Sequence, residues 1–197
     1  MKRRFVAKEA RVFLNILLKV SLVLMTNRNK QIVEIQLGRK LRSQVEVTTS
    51  CHFNLPVVIK VPPNLDDGTP FPTTYWLSCP MYTKKIGSLE SKGLIKELDS
   101  QIQSDKNLYK QWIGRQESYE AERNDEVDED TKIPPYGGVG GARESIKCLH
   151  SHFADQLATG KNMVGNIVEE LVGGYNCLEP CIDEDEMEKN TAWKVEW

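Results

Sequence analysis

The chain has 197 residues, 40% of them hydrophobic and 27% charged, with a formal net charge of −2. That is the range of a soluble globular protein long enough for a core of its own. The near-neutral balance removes the general basic field that wraps nucleic acid, so no nucleic-acid partner is expected. The five cysteines, Cys51, Cys79, Cys148, Cys177 and Cys181, are odd in number and scattered, unlike a dense secreted disulfide scaffold, which points to reduced thiols in a cytoplasmic or organellar compartment.

The N-terminus is basic and turns apolar from Val12 to Met25, with Asn15 and Lys19 interrupting the run. It is too short and too interrupted for a membrane span, and no clean cleavage site follows it. Three readings stand: a leader or extension with Met25 as the true start, a packed helix, or a targeting segment importing through residues 1–25. Residues 1–30 are therefore set outside the core domain, and residues 31–182 are expected to form one α+β domain.

Ile32 to Leu37 is a short apolar pattern ended by Gly38-Arg39. Val45–Thr49, Pro56–Val61 and Thr73–Ser78 read as three strands, β-branched or alternating and bounded by turn formers, and so as a small antiparallel sheet. The period then changes. Ile86, Leu89, Leu94, Leu98 and Ile102 approximate helical spacing from Thr83 to Ser104, weakened by Gly87 and Gly93. Asp105 is a candidate N-cap for a helix carrying Leu108, Trp112, Ile113 and Tyr119. Residues 120–138 are acidic and then Pro/Gly-rich, the composition of a mobile linker or long loop, with partner binding as the minor reading. Ile146, Leu149, Phe153 and Leu157 predict a helix with a core stripe, stopped by Gly160; a further short helix runs from Met163 to Val172. Residues 183–197 are an acidic tail from which Trp193 and Trp197 could dock back. The helices are expected on the sheet in the C-terminal half.

On the helix expected around Leu149, an angle of about 100° per residue puts Cys148, His152 and Asp155 on one face, opposite the core stripe. His150 falls on the flank and reads best as a core-edge histidine. Thiolate, imidazole and carboxylate are all zinc ligands, and Cys51 and Cys79, at strand ends, could complete a set with Cys148 and His152. Buried structural cysteines are the plain alternative. Cys148 beside His152 also resembles a nucleophile–base pair, and Cys177-x-x-x-Cys181 is a weak metal clip or labile disulfide. The glycines before the helix, Gly140 and Gly141 among them, offer backbone N–H groups for an anion, with Arg143 and Lys147 adding positive charge. The loop has neither the Walker A ending nor a dinucleotide fingerprint, and a hinge explains it equally well.

The segments IVEIQLGRKLR (32–42), Cys51-x-x-x-Leu-Pro-Val-Val, DDGTPFPTTYWLSCP (66–80) and IKCLHSHFADQLATGKNMVG (146–165) occur in this order. The chain thereby resembles a mainly bacterial family known as domain of unknown function 501, over roughly Gln31 to Cys181. The resemblance carries over to Gly38, Arg39, Cys51, Pro56, Gly68, Pro70 to Thr73, Cys79, Pro80, Lys147, Cys148, His150, His152 and Gly165. Family members often have a histidine where this chain has Asp155, and a glycine near Asn54. The resemblance implies no assigned activity. Its gene neighbourhoods, near septum-formation and exopolyphosphatase genes, lean toward phosphate chemistry or envelope housekeeping. It strengthens the metal reading, because its pattern picks out Cys51, Cys79, Cys148 and both histidines rather than Cys177.

The resulting expectation is a metal-binding protein, zinc first, with candidate ligands Cys51, Cys79, Cys148, His152, Asp155 and His150. Beside them Gly140, Gly141, Arg143, Lys147 and Arg39 would hold a phosphate- or carboxylate-bearing ligand. The alternative is a non-catalytic interaction module, with a protein partner and with cysteines serving the core.

Overall fold

The computed structural model describes residues 27–197. The leader readings lie outside the described residues, except that residues 27–30 belong to a helix, α1, running over 27–37. Three strands follow, β1 (Glu46–Ser50), β2 (Pro56–Lys60) and β3 (Tyr75–Leu77), in an antiparallel meander of order β1-β2-β3. β1 and β2 meet in a tight turn in which Asn54 takes φ 59°, a left-handed conformation that asparagine tolerates better than most residues, while Cys51 N–H donates to Leu55 O at 2.9 Å. The central strand β2 is buried from Pro56 to Ile59. Val57 and Val58 pack in the main core, whereas Ile59 and Val61 pack with Val33 of α1 in a second cluster. The short apolar pattern at 32–37 is thus a helix whose Ile32 and Val33 are fully buried.

Five helices follow: α2 (Pro80–Ser91), α3 (Leu94–Ser104), α4 (Lys106–Asn124), α5 (Leu149–Thr159) and α6 (Met163–Val172). The fold is α+β, with the sheet first and the helices later. The single helical stretch expected over 83–104 divides at Gly93, whose φ of 90° no helix accommodates. Asp105 caps α4 as its sequence predicts, accepting from the N–H groups of Asn107 and Leu108 at 2.7 and 3.1 Å. α4 runs on through Asn124 and takes the first residues of the expected linker. The rest of that segment is anchored: Arg123, buried to 1% exposure, donates to the carbonyls of Pro72 (3.1 Å), Gly137 (2.6 Å) and Pro135 (3.0 Å). A short antiparallel pair, β4 (Ile182–Asp183) and β5 (Glu188–Lys189), opens the expected tail. Trp193 packs on the core, whereas Trp197 stays exposed. Among the described residues no helix is long and apolar enough to cross a membrane.

A buried polar network joins α4, α5 and α6. Arg115 grips Asp155 with two prongs, Nε to Oδ2 at 2.8 Å and Nη2 to Oδ1 at 2.5 Å. Asn162 Nδ2 donates to Asp155 Oδ2 at 2.8 Å and lies 3.0 Å from His152 Nδ1, while its Oδ1 accepts the Gly165 N–H and caps α6. α5 and α6 approach so closely that a Cβ on Gly165 would sit 2.2 Å from His152 O. His152 and Asp155 are wholly buried. They face this network rather than the outside of the core, which corrects the outward cluster expected of them: the loop after α5 folds Asn162 back across that face.

The helix expected to include Ile146 and Cys148 starts later, at Leu149. The preceding strap stays out of the helix, and side chains of three helices satisfy its backbone in place of helical hydrogen bonds. Trp112 Nε1 donates to Arg143 O (2.8 Å), Gln103 to Glu144 O (2.6 Å), and the N–H groups of Ile146 and Leu149 donate to Asp99 (3.0 Å) and Glu90 (2.7 Å). Ile146, Leu149 and Phe153 are nonetheless buried, with Leu157 packed against the same core, as the stripe predicts.

Removing one partner of a buried ion pair strands the other charge. Asp155→Ala is therefore expected to cost about 3–5 kcal/mol in urea unfolding, whereas Arg143→Ala, at the exposed Arg143–Glu120 pair, is expected to cost under about 1 kcal/mol; equal losses would refute this ranking. His152 supplies a pH signature. Burial drives its pKa down to about 4, with the Asn162 hydrogen bond only partly opposing. An unfolded histidine titrates near 6.5, so the neutral ring contributes stability that is complete above that pH and lost as pH falls toward 4. His152→Phe is expected to flatten the stability profile across this window, measured by urea midpoints at successive pH values.

Candidate metal centre

The strap delivers Cys148 to the N-cap position of α5 in an extended conformation (φ −157°, ψ 120°). Its sulfur therefore leaves the chain before the helical turn begins, and points at the first turn rather than along the face carrying His152. Cys148 Sγ lies 3.6 Å from His150 Nδ1, and the same nitrogen lies 3.2 Å from Glu90 Oε1 on α2. Glu90 Oε1 also accepts the Leu149 N–H, which locks the carboxylate to the start of α5. One ligand atom from each of Glu90, Cys148 and His150 lies within 4.8 Å of the other two, and all three residues are half-buried. His150, read from sequence as the flanking histidine, is the one that joins Cys148.

On its other side His150 Nε2 lies 3.1 Å from the carbonyl oxygen of Thr83. A carbonyl only accepts, so Nε2 carries a proton and Nδ1 is the nitrogen that faces Cys148 and Glu90. A histidine that ligates a metal through one nitrogen usually donates its other N–H to a carbonyl or carboxylate, which fixes tautomer and ring orientation; Thr83 supplies that support. Without a cation, Nδ1 faces a carboxylate and a thiol and keeps a proton. Burial disfavours the imidazolium, but the hydrogen bonds to Cys148 and Thr83 and the charge of Glu90 outweigh it, raising the His150 pKa to about 9. Burial likewise disfavours the Cys148 thiolate, yet hydrogen bonding from His150 and from the Ser151 backbone brings its pKa below the ordinary thiol value. The two shifts run together, each group favouring the charged form of the other.

Cys148 and His150 line one end of a cavity of about 450 Å³. Its walls include Leu37, Phe71, Tyr75 and Trp76, with Thr73 and Ser151 adding hydroxyl groups. Phe71 and Trp76 stack with ring centroids 5.2 Å apart. Arg39 stacks on Trp76 at 4.3 Å.

The other expected ligands lie elsewhere. His152 and Asp155 are committed to the buried network. Cys51 and Cys79 line a separate small cavity with Cys177 and Cys181; the strand ends carry them away from Cys148, so the four-ligand set of Cys51, Cys79, Cys148 and His152 is not assembled. Glu90 carries no local sequence signal; what a helical reading offers is that it lies two turns beyond Thr83 on α2, so both reach the same side.

The Gly-rich loop keeps little of the anion nest expected of it. α5 begins well beyond the glycines, and most of the loop's N–H groups are already occupied. Gly137 N–H donates to Glu120 (3.1 Å), Val139 N–H to Gln116 (2.8 Å), and Gly141 N–H to Gly138 O (2.9 Å). Gly140 and Gly141 form a 3₁₀ turn with Val139. Close packing explains the glycines: a Cβ on Gly138 would sit 2.4 Å from Gln116 Oε1. Arg143 is held by both oxygens of Glu120, and Lys147 donates to Gly141 O. Arg39 stacks on Trp76.

A family model described as "Protein of unknown function (DUF501)" matches residues 47–170. Among curated proteins and solved structures, none matches the chain.

The imidazole beside its sulfur is expected to make Cys148 the fast-reacting cysteine. Its alkylation by iodoacetamide, followed by peptide mass spectrometry, is expected to reach half its maximal rate at a pH below the ordinary thiol pKa of about 8.5. His150→Ala is expected to shift that midpoint upward. A midpoint unchanged by His150→Ala would show that the imidazole does not activate the thiol.

Proposed function

Because the chain belongs to the DUF501 family, proteins of unknown function, we propose its role from its own side chains: it binds a transition-metal ion, zinc first, through Glu90, Cys148 and His150. The observation that carries this is the convergence of three ligand atoms within 4.8 Å while His150 Nε2 donates its proton outward to Thr83 O. Carboxylate, thiolate and imidazole form a borderline-soft set suited to zinc. Three protein ligands would leave a fourth position open, the pattern of functional rather than structural zinc sites, beside the aromatic cavity that Cys148 and His150 line. A carboxylate or phosphate oxygen of a small ligand suits that position, with Thr73 and Ser151 nearby to receive its polar edge. A bound ion would polarise such a ligand or a water there. Five cysteines with no disulfide suit a reducing compartment such as the cytoplasm.

A second reading rests on one observation: both ring nitrogens of His150 face acceptors, so the metal-free centre is a charged pair in which Cys148 serves as a nucleophile. The two readings separate by metal content. Wild-type protein is expected to hold one equivalent of metal more than Cys148→Ser or His150→Ala, measured by elemental analysis on proteins whose circular dichroism matches wild type. Asp155→Asn is expected to leave that equivalent in place. Identical metal content in wild type and in both site variants would defeat the metal reading and leave the nucleophile.

A further inference from the structure

Four of the five cysteines gather at a second place. Cys51 follows β1, Cys79 precedes α2, and Cys177 and Cys181 lie in the segment between α6 and β4; all four line one cavity of about 20 Å³. The volume limits the occupant. A space of that size admits one water-sized body and no organic ligand. The lining is mixed: the sulfurs stand beside apolar Leu55, Pro56 and Pro80 and beside polar Gln36 and His52. Five of the lining residues carry sulfur, the Met81 thioether lying 3.5 Å from Cys177 Sγ. Two sulfurs also accept side-chain N–H groups, Cys181 from Gln36 at 3.6 Å and Cys177 from Trp193 at 3.5 Å.

We propose that Cys51, Cys79, Cys177 and Cys181 form a second, sulfur-rich site for a single thiophilic cation of the zinc or copper(I) class. Thiolate and thioether ligands select such ions, and four sulfurs meet the tetrahedral count of a closed structural site. Each thiol that ligates releases its proton to solvent on binding. Among the described residues no three of these sulfurs lie within 4.8 Å of one another, so the ion draws the ring inward. The movement falls to residues 173–181, which have no helix or strand, while Cys51 and Cys79 are fixed by the sheet and α2. Bound there, the cation cross-links the C-terminal segment to the β1–β2 turn and to the start of α2. This site shares no residue with the Glu90–Cys148–His150 centre and stands independently of it.

The test is an anaerobic titration of the reduced full-length protein with Co²⁺, a spectroscopic substitute for zinc, followed by thiolate-to-cobalt charge transfer in the near ultraviolet. Cys148→Ser is expected to retain one equivalent with charge transfer from several thiolates, whatever becomes of the first centre. Cys177→Ser/Cys181→Ser, with wild-type circular dichroism, is expected to lose most of that absorption, and Cys51→Ser, on a separate element, to weaken it. Competition with Zn²⁺ and Cu⁺ is expected to bleach the signal. Absent multi-thiolate absorption in Cys148→Ser would overturn the proposal. So would absorption that survives intact in the folded double-serine variant, or a Cys177–Cys181 disulfide found in the anaerobically purified protein.

Discussion

The Arg115–Asp155 ion pair sets the frame for everything around it. It joins α4 to α5 through two hydrogen bonds in the interior, where a lone charge is untenable. Asn162 completes the carboxylate's partners and caps α6, so one acidic group fixes the mutual placement of three helices. With α5 immobilised along its length, its first turn meets α2 at Glu90 and β3 beyond it. Cys148 and His150 owe their position to residues one and two turns further along the same helix.

The strap before α5 determines which way Cys148 faces. Had the helix begun at Ile146, the thiol would project on the His152 side and meet the buried network. Instead Asp99 and Glu90 take the N–H groups of Ile146 and Leu149, and the chain is extended at Cys148. Glu90 acts twice: it ends the strap by accepting from Leu149, and it presents a negative charge to His150. Local backbone conformation and site electrostatics thus depend on one carboxylate, and a protein that lost it would misdirect the thiol as well as discharge the imidazole.

The sequence makes the sheet legible because its strands carry β-branched alternation and are bounded by Pro, Gly and Asp. The α4 cap is legible because Asp105 acts on its own neighbours. The core stripe of α5 is legible even though its first member, Ile146, is not helical, since burial follows hydrophobicity whichever way the backbone runs. The metal centre is legible only in part. Cys148 and His150 stand out as residue types, but their pairing depends on where the helix starts, and that is decided by Asp99 and Glu90, 47 and 59 residues away from their partners. A helical projection begun too early put His152 with Cys148 and left His150 aside. The glycines misled for a related reason: Gln116 and Glu120, distant in sequence, occupy the N–H groups that a bare loop would offer to an anion. The linker composition of residues 120–138 concealed Arg123, a charged side chain whose value lies in three distant carbonyls.

The strap between Arg143 and Leu149 is pinned at four points by side chains from three helices, so it holds no slack. Its length is a coordinate of the fold. One residue added or removed there shifts every later backbone group out of step with Asp99 and Glu90 and rotates Cys148 to the opposite side of the chain. The stretch at 126–134, mostly exposed and tied by side chains at Glu126 and Thr131, absorbs such changes without reaching the site. Length variation among natural relatives is therefore expected to accumulate in that stretch and to be rare in the strap, a pattern set by geometry even where the residues themselves change freely.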